Sequence, residues 1–199
     1  MINNGNIHSN QLYPVFLKLE QLELLLVGVG NVGLEKLNSL LSNSPEAKVT
    51  VVAPFVKDEV KEFLQNHSSC VLLQRPFEEA DLENKNLIIL ATDDKELHKR
   101  IKKLAEQRRI IVNVADTPGL CDFYLGSIVQ KGNLKIAIST NGKSPTTAKR
   151  IKELLENTMP DEIDELLINL NLIRNKMTGD FTDKVRQLNE LTKMLTEKE

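Results

Sequence analysis

Residues Leu22–Lys36 read LELLLVGVGNVGLEK. Leu24, Leu25, Leu26 and Val27 form a continuous apolar run, the pattern of a parallel strand buried on both faces. Gly28, Gly30 and Gly33 follow at GxGxxG spacing, after which the pattern turns helical. In that setting each glycine has a physical reason. The first permits a tight turn off the strand, the second leaves the backbone open to a pyrophosphate, and the third lets helix and strand pack closely. Amides at the helix start lack intrahelical acceptors and carry partial positive charge, which suits a phosphate. A lone GxGxxG can be a turn that merely packs. Its place between a strand pattern and a helix pattern reads instead as a dinucleotide-binding turn, with Gly28, Val29, Gly30, Asn31, Val32 and Gly33 as cofactor-binding residues.

One familiar part is missing. An Asp or Glu about 20 residues further on usually holds the adenosine ribose. The next strand, Lys48–Pro54, reads KVTVVAP, with no acid at its end and no Arg after it to claim a 2′-phosphate. Either backbone groups or hydroxyls hold the ribose, or the dinucleotide preference is loose; NAD is preferred over NADP.

The alternation continues along the chain. Helix patterns span Val32–Leu41, Lys57–Asn66 and Asp94–Arg109; apolar strand patterns span Val49–Val52, Val71–Leu73, Leu87–Ala91 and Ile110–Val114. Strands alternating with helices imply right-handed βαβ units and an α/β, doubly wound parallel sheet of Rossmann type. Tyr13–Leu19 (YPVFLKL) reads as a further short strand, with Pro14 near its start. Ligands of such sheets sit outside the carboxyl ends of the strands. Three loops should therefore line the site: Gly28–Gly33, Thr92-Asp93-Asp94, and Ala115-Asp116-Thr117-Pro118.

Beyond Ala115 the pattern changes. Phe123–Val129 and Leu134–Ser139 read as strands joined through Gln130–Asn133. Ser144 before Pro145 fits an N-cap followed by proline at the first helical position, opening a helix over Thr146–Asn157. Helical patterning resumes after Pro160 with Ile163, Leu166, Leu167, Leu170 and Ile173. It breaks at Met177–Asp180 and returns over Val185–Leu195 as a small helical appendage.

Composition narrows the classes. With 26 basic and 28 acidic residues the net charge is −2, which argues against nucleic acid held by bulk electrostatics. Cys70 and Cys121 are too few for a disulfide framework, so a reducing cytoplasm is expected. Met1–Gln11 is Asn-rich and polar, without the regions of a signal peptide, and is expected to be a loose tail. No apolar run approaches the roughly 20 residues of a membrane span.

Several side chains are candidates for chemistry. Asp116 lies just past a strand's carboxyl end, where a carboxylate could exchange a proton beside a hydride transfer; alternatively it only starts a turn before Pro118. Thr92, Asp93 and Asp94 could hydrogen-bond the cofactor, although Asp94 could equally cap the next helix. Lys143, Lys149 and Arg150 surround the start of a helix, a setting for an anionic substrate or simply a solvated basic face. His8, His67 and His98 show no zinc-ligand spacing, and His98 is expected at the helix surface.

Taken in order, YPVFLKLE, LLLVGVGNVGLEK, VVAP, ATDD, VNVADTPGLCDF and LKIAISTNGKSPTTAKRIKELLE resemble the precorrin-2 dehydrogenase/sirohydrochlorin ferrochelatase family, the N-terminal module of sirohaem synthase. The resemblance runs from about Tyr13 to about Glu156. It implies NAD-dependent oxidation of precorrin-2 to sirohydrochlorin, with Fe²⁺ insertion in some members, by an interlocked homodimer. The implied divisions are an NAD-binding Rossmann domain over 1–115, a dimerisation region over 116–149 and a helical domain over 150–199. The family's functional aspartate corresponds to Asp116. Its substrate-side turn corresponds to Asn141-Gly142-Lys143-Ser144-Pro145, which with Lys149 and Arg150 would meet the carboxylates of the tetrapyrrole. No permanent metal site is implied; Asp116 would serve during chelation. Val29, Gly33, Glu35 and Asn141 depart from the usual glycine, alanine, arginine and glycine. No methyltransferase domain is present, so a separate methyltransferase would supply precorrin-2. Two other readings compete: an NAD-sensing Rossmann regulatory module without catalysis, against which LKIAISTNGKSP speaks, and a C-terminal docking surface for a partner enzyme.

Overall fold

The computed structural model of the chain describes residues 9–193, so most of the Asn-rich stretch expected to be a loose tail lies outside the described residues. The structure divides into two units. One comprises the chain up to Leu125 with Ser139–Lys143; the other comprises Gly126–Ile138 and the chain from Ser144 onward.

The first unit is built on five parallel strands: β1 (Glu23–Val27), β2 (Lys48–Val52), β3 (Cys70–Leu73), β4 (Leu87–Leu90) and β5 (Ile111–Val114), in the order β3-β2-β1-β4-β5. Val27 lies level with Val52 on one side and Leu90 on the other, and Leu90 lies level with Val114. The chain winds outward from β1 through β2 to β3, then returns to lay β4 on the other side of β1. The strand order therefore reverses between β1 and β4, the place where such sheets open a crevice for a ligand.

Alternate residues of β1 serve two cores. Leu24 and Leu26 pack with Leu37 and Leu41 of α1 (Asn31–Asn43) and Val60 and Leu64 of α2 (Asp58–Gln65). Leu25 and Val27 face the other way, into a cluster with Ile88, Leu90, Val112 and, from α3 (Lys95–Arg108), Ile101 and Ala105. Leu25, Ile88 and Ile101 are fully enclosed. Each such side chain contributes about 1.5–3 kcal/mol through burial, which fixes the sheet between its helix layers.

The expected strand at Tyr13–Leu19 does not form. Residues 13–18 are irregular and a short 3₁₀ turn follows at Leu19–Gln21. A strand exists only through a partner, and among the described residues neither edge strand takes this segment. Only Leu19 at its end packs against the first core, while Tyr13 is 87% and Phe16 68% exposed.

In the second unit β6 (Ser127–Lys131) and β7 (Leu134–Ile138) pair antiparallel. Gln130 and Lys131, expected in the connecting loop, are ladder residues, and the turn is only Gly132-Asn133. Phe123–Gly126 stay outside the strand. Helices α4 (Pro145–Thr158), α5 (Ile163–Lys176) and α6 (Phe181–Thr192) follow. Helix α6 begins four residues before Val185 because Asp180 caps it, accepting the Asp183 N–H at 2.9 Å. Residues 194 and 195, expected to end this helix, lie outside the described residues. Among the described residues no helix is long and apolar enough to cross a membrane.

Gly28 has φ +88°, and a Cβ there would meet the Ala91 carbonyl oxygen at 2.7 Å and the Thr92 methyl carbon at 2.5 Å. Gly28→Ala is expected to lower the unfolding free energy by about 1–3 kcal/mol through left-handed strain and this overlap. Urea denaturation measures it; an unchanged midpoint would contradict the close approach.

Candidate functional site

The site grows from three strand ends. The Gly28 N–H donates to the Val52 carbonyl, the Ala91 N–H to Val27 and the Ala115 N–H to Leu90, each at 2.9 Å. These bonds carry the ladder one residue past each strand and set the three loops side by side.

At β1, Gly28 turns the chain and Gly33 brings α1 down onto it, since a Cβ on Gly33 would overlap the Gly28 carbonyl oxygen. Gly30 is different: a Cβ there would meet nothing within 4 Å. Its backbone borders open space, and it is the N-cap of α1 with no side-chain cap for the amides behind it. Open backbone and uncapped amides fit a pyrophosphate. Val29 points the other way and is buried in the first core, while Asn31 and Val32 are exposed at the start of α1. The acid-free end of β2 has an occupant that the sequence did not suggest. Lys57 reaches back to donate from Nζ to Asn31 Oδ1 at 2.7 Å, putting a cation beside the dinucleotide turn.

At β4, Asp94 caps α3, accepting the Glu96 and Leu97 N–H groups at 3.0 and 2.9 Å. Asp93 is exposed. Thr92 is half-buried, with its methyl against Gly28 and its hydroxyl 2.9 Å from His98 Nε2. His98 is a correction to the sequence expectation: it is 3% exposed, not at the surface. It falls at i, i+3, i+7 with Ile101 and Ala105, which are both buried, and that spacing was the available signal. Burial pushes its imidazole below the ordinary range, against the pull of Asp94 and Asp93.

At β5, Asp116 is exposed and sits at φ +56°, a left-handed conformation that Asp tolerates better than most residues with a Cβ, at some cost. The returning loop holds it there. The Cys121 thiol lies 3.2 Å from both the Val114 N–H and the Val114 carbonyl oxygen. Asp122 accepts the Val112 N–H at 2.9 Å and pairs with Lys102. Asn113, buried, donates to the Phe123 carbonyl oxygen at 2.8 Å. These bonds fix the backbone on either side of Asp116.

The structure thus brings the glycine turn, Thr92 and Asp116 to one edge of the first unit. Asn141, which stands where a glycine was usual, takes φ +54°, and Gly142 follows at φ +71°. Asparagine tolerates this region, so the turn is made without glycine at its first position. Lys143 is exposed at the end of the same segment. In the second unit Ser144 caps α4, accepting the Thr147 N–H at 3.2 Å. Lys149 and Arg150 are exposed on its first turns, with Arg150 2.7 Å from Glu153. His8 lies outside the described residues. Among the described residues no group of three or more His, Cys, Asp or Glu could hold a metal ion.

Comparison with known proteins bears on the first unit as a whole and on the segment after it. The model of a putative NAD(P)-binding family matches residues 15–127, and that of the central part of sirohaem biosynthesis proteins matches residues 131–158. Siroheme synthase of Ruthia magnifica subsp. Calyptogena magnifica is 35% identical over 175 residues, covering 87% of this chain and 34% of that protein. Siroheme synthase of Thioalkalivibrio sulfidiphilus is 36% identical over 171 residues, covering 86% and 34%. The chain therefore spans about a third of the length of the curated relatives it matches. The solved structure of SirC, a precorrin-2 dehydrogenase, superposes with a TM-score of 0.72 at 27% identity, covering 90% of this chain and 89% of that one. With a dinucleotide turn at the sheet's switch point and a sirohaem-type segment after it, the chain belongs to the NAD(P)-binding precorrin-2 dehydrogenase/sirohydrochlorin ferrochelatase family, the N-terminal module of sirohaem synthase.

Proposed function

We propose that this chain oxidises precorrin-2 to sirohydrochlorin with NAD. The observation that carries the reading is Asp116, strained and clamped beside a dinucleotide turn in a fold that matches a precorrin-2 dehydrogenase over nine-tenths of its length. Bound NAD would supply the hydride acceptor. The chain's own residues do the rest. The uncapped start of α1 binds the pyrophosphate, and Gly30 lets it approach. Thr92, Asp93 and Asp94 border the same cofactor. Asp116 takes on a carboxylate oxygen the proton that the macrocycle gives up as hydride leaves, or orients the ring by accepting its pyrrole N–H groups. Asn141 and Lys143, in the same unit as Asp116, meet carboxylates around the tetrapyrrole rim.

For Fe²⁺ as substrate, the same carboxylate would take pyrrole protons as the metal enters. The dimerisation region over 116–149 joins two copies: β6 and β7 pair only with each other among the described residues, which supports their use across a two-fold axis. A purely sensing module would have no use for a clamped acid at β5.

Anaerobic assay with enzymatically made precorrin-2 and NAD is expected to yield NADH and sirohydrochlorin; folded, NAD-binding protein that yields none would overturn the reading. Added Fe²⁺ consuming the product faster than a no-enzyme control would establish chelation, and an unchanged rate would restrict the chain to oxidation. Asp116→Asn should lower kcat by about 10²–10⁴-fold while leaving the NAD Kd within about threefold. Sedimentation at micromolar concentration should give a dimer, and a monomer would contradict the two-fold pairing.

A further inference from the structure

His98 is a buried titratable side chain that the mechanism above does not use. Its ring is 3% exposed and its Nδ1 is buried with no hydrogen-bond partner. Its Nε2 lies 2.9 Å from the Thr92 hydroxyl, and the Thr92 methyl packs where a Cβ on Gly28 would stand. The Thr92 oxygen also accepts the Asp94 N–H at 3.3 Å.

A neutral imidazole carries one N–H, on either nitrogen. With the proton on Nδ1, a buried donor would face no acceptor. With the proton on Nε2, only a lone pair is left unpaired at Nδ1. Orphaned buried N–H groups are the rarer and costlier case. Nε2 therefore holds the proton and donates it to Thr92 Oγ1. That oxygen has two lone pairs, and the His98 and Asp94 N–H groups take both. The hydroxyl proton must then point away from His98 and Asp94. Thr92 stands at the carboxyl end of β4, beside the turn at Gly28.

We propose that His98 is a positioning residue: by donating to Thr92 it fixes the threonine hydroxyl as a hydrogen-bond donor to an oxygen of the bound dinucleotide. The inference rests on the dinucleotide reading of this edge, and goes beyond it by assigning a donor and the residue that sets its direction.

The test uses the full chain and NAD⁺ as the probe, with Kd read by titration calorimetry and folding by circular dichroism. Thr92→Val should weaken NAD⁺ binding about tenfold, the scale of one lost hydrogen bond. His98→Leu should weaken it equally, and the double variant should lose no more than either alone. His98→Gln, whose amide N–H can reach Thr92, should stay within about threefold of the parent. In ¹⁵N spectra of the free parent protein the imidazole proton should sit on Nε2, a readout that needs neither ligand nor a folded variant. A proton on Nδ1, additive losses in the double variant, or an unchanged Kd in folded His98→Leu would each overturn the proposal. Parent protein that binds no NAD⁺ would instead remove the functional reading, leaving the tautomer to report on His98 by itself.

Discussion

The backbone at Gly28 lies so close to the end of β4 that no side chain fits between them: a Cβ would stand 2.7 Å from the Ala91 carbonyl oxygen. Helix α1 closes on the same peptide, because Gly33 presses against the Gly28 carbonyl. Three elements that are distant in sequence, β1, α1 and β4, are thereby held in van der Waals contact at the point where the strand order reverses. A ligand at that point meets backbone rather than side chains. Uncapped amides at the start of α1 and open space over Gly30 are what a phosphate would need there, with no charged residue spent on it.

The contact is sustained by packing far from it. Leu24 and Leu26 draw α1 onto one face of β1, and Leu25 and Val27 draw in the elements of the other face. Asp116 is positioned separately, by the loop that folds back along β5 and bonds to Val112, Asn113 and Val114. The cofactor turn and the acid are thus supported by different interactions and meet only through the register of β1, β4 and β5. If Asp116 reacts as proposed, this separation would let a change there alter chemistry while the glycine turn keeps its shape.

Much of this was legible in the sequence. The apolar runs at Leu24–Val27 and Leu87–Leu90, buried on both faces, carry the parallel sheet, and the glycine spacing carries the turn. What escaped has identifiable causes. Tyr13–Leu19 has strand composition, but a strand is a property of a pair, and one segment cannot reveal that no strand among the described residues pairs with it. His98 was masked by its polarity: a histidine on a charged helix reads as surface unless its spacing from Ile101 and Ala105 is weighed first. Lys57 follows β2 by several residues, and only the folded loop brings it to Asn31. The left-handed backbone at Asp116 and Asn141 carries no single-residue signal beyond the tolerance of Asp and Asn for that region.

The central claim is that one edge of the sheet, at the ends of β1, β4 and β5, holds both the dinucleotide and the reacting group. Amide chemical shifts of the full chain during NAD⁺ titration test it most directly. The account predicts saturable shifts at Gly30–Gly33 and Thr92, and smaller ones at Ala115–Thr117, with the amides of α5 and α6 unmoved. Shifts confined to α5 and α6, or none in a folded protein at millimolar NAD⁺, would contradict it.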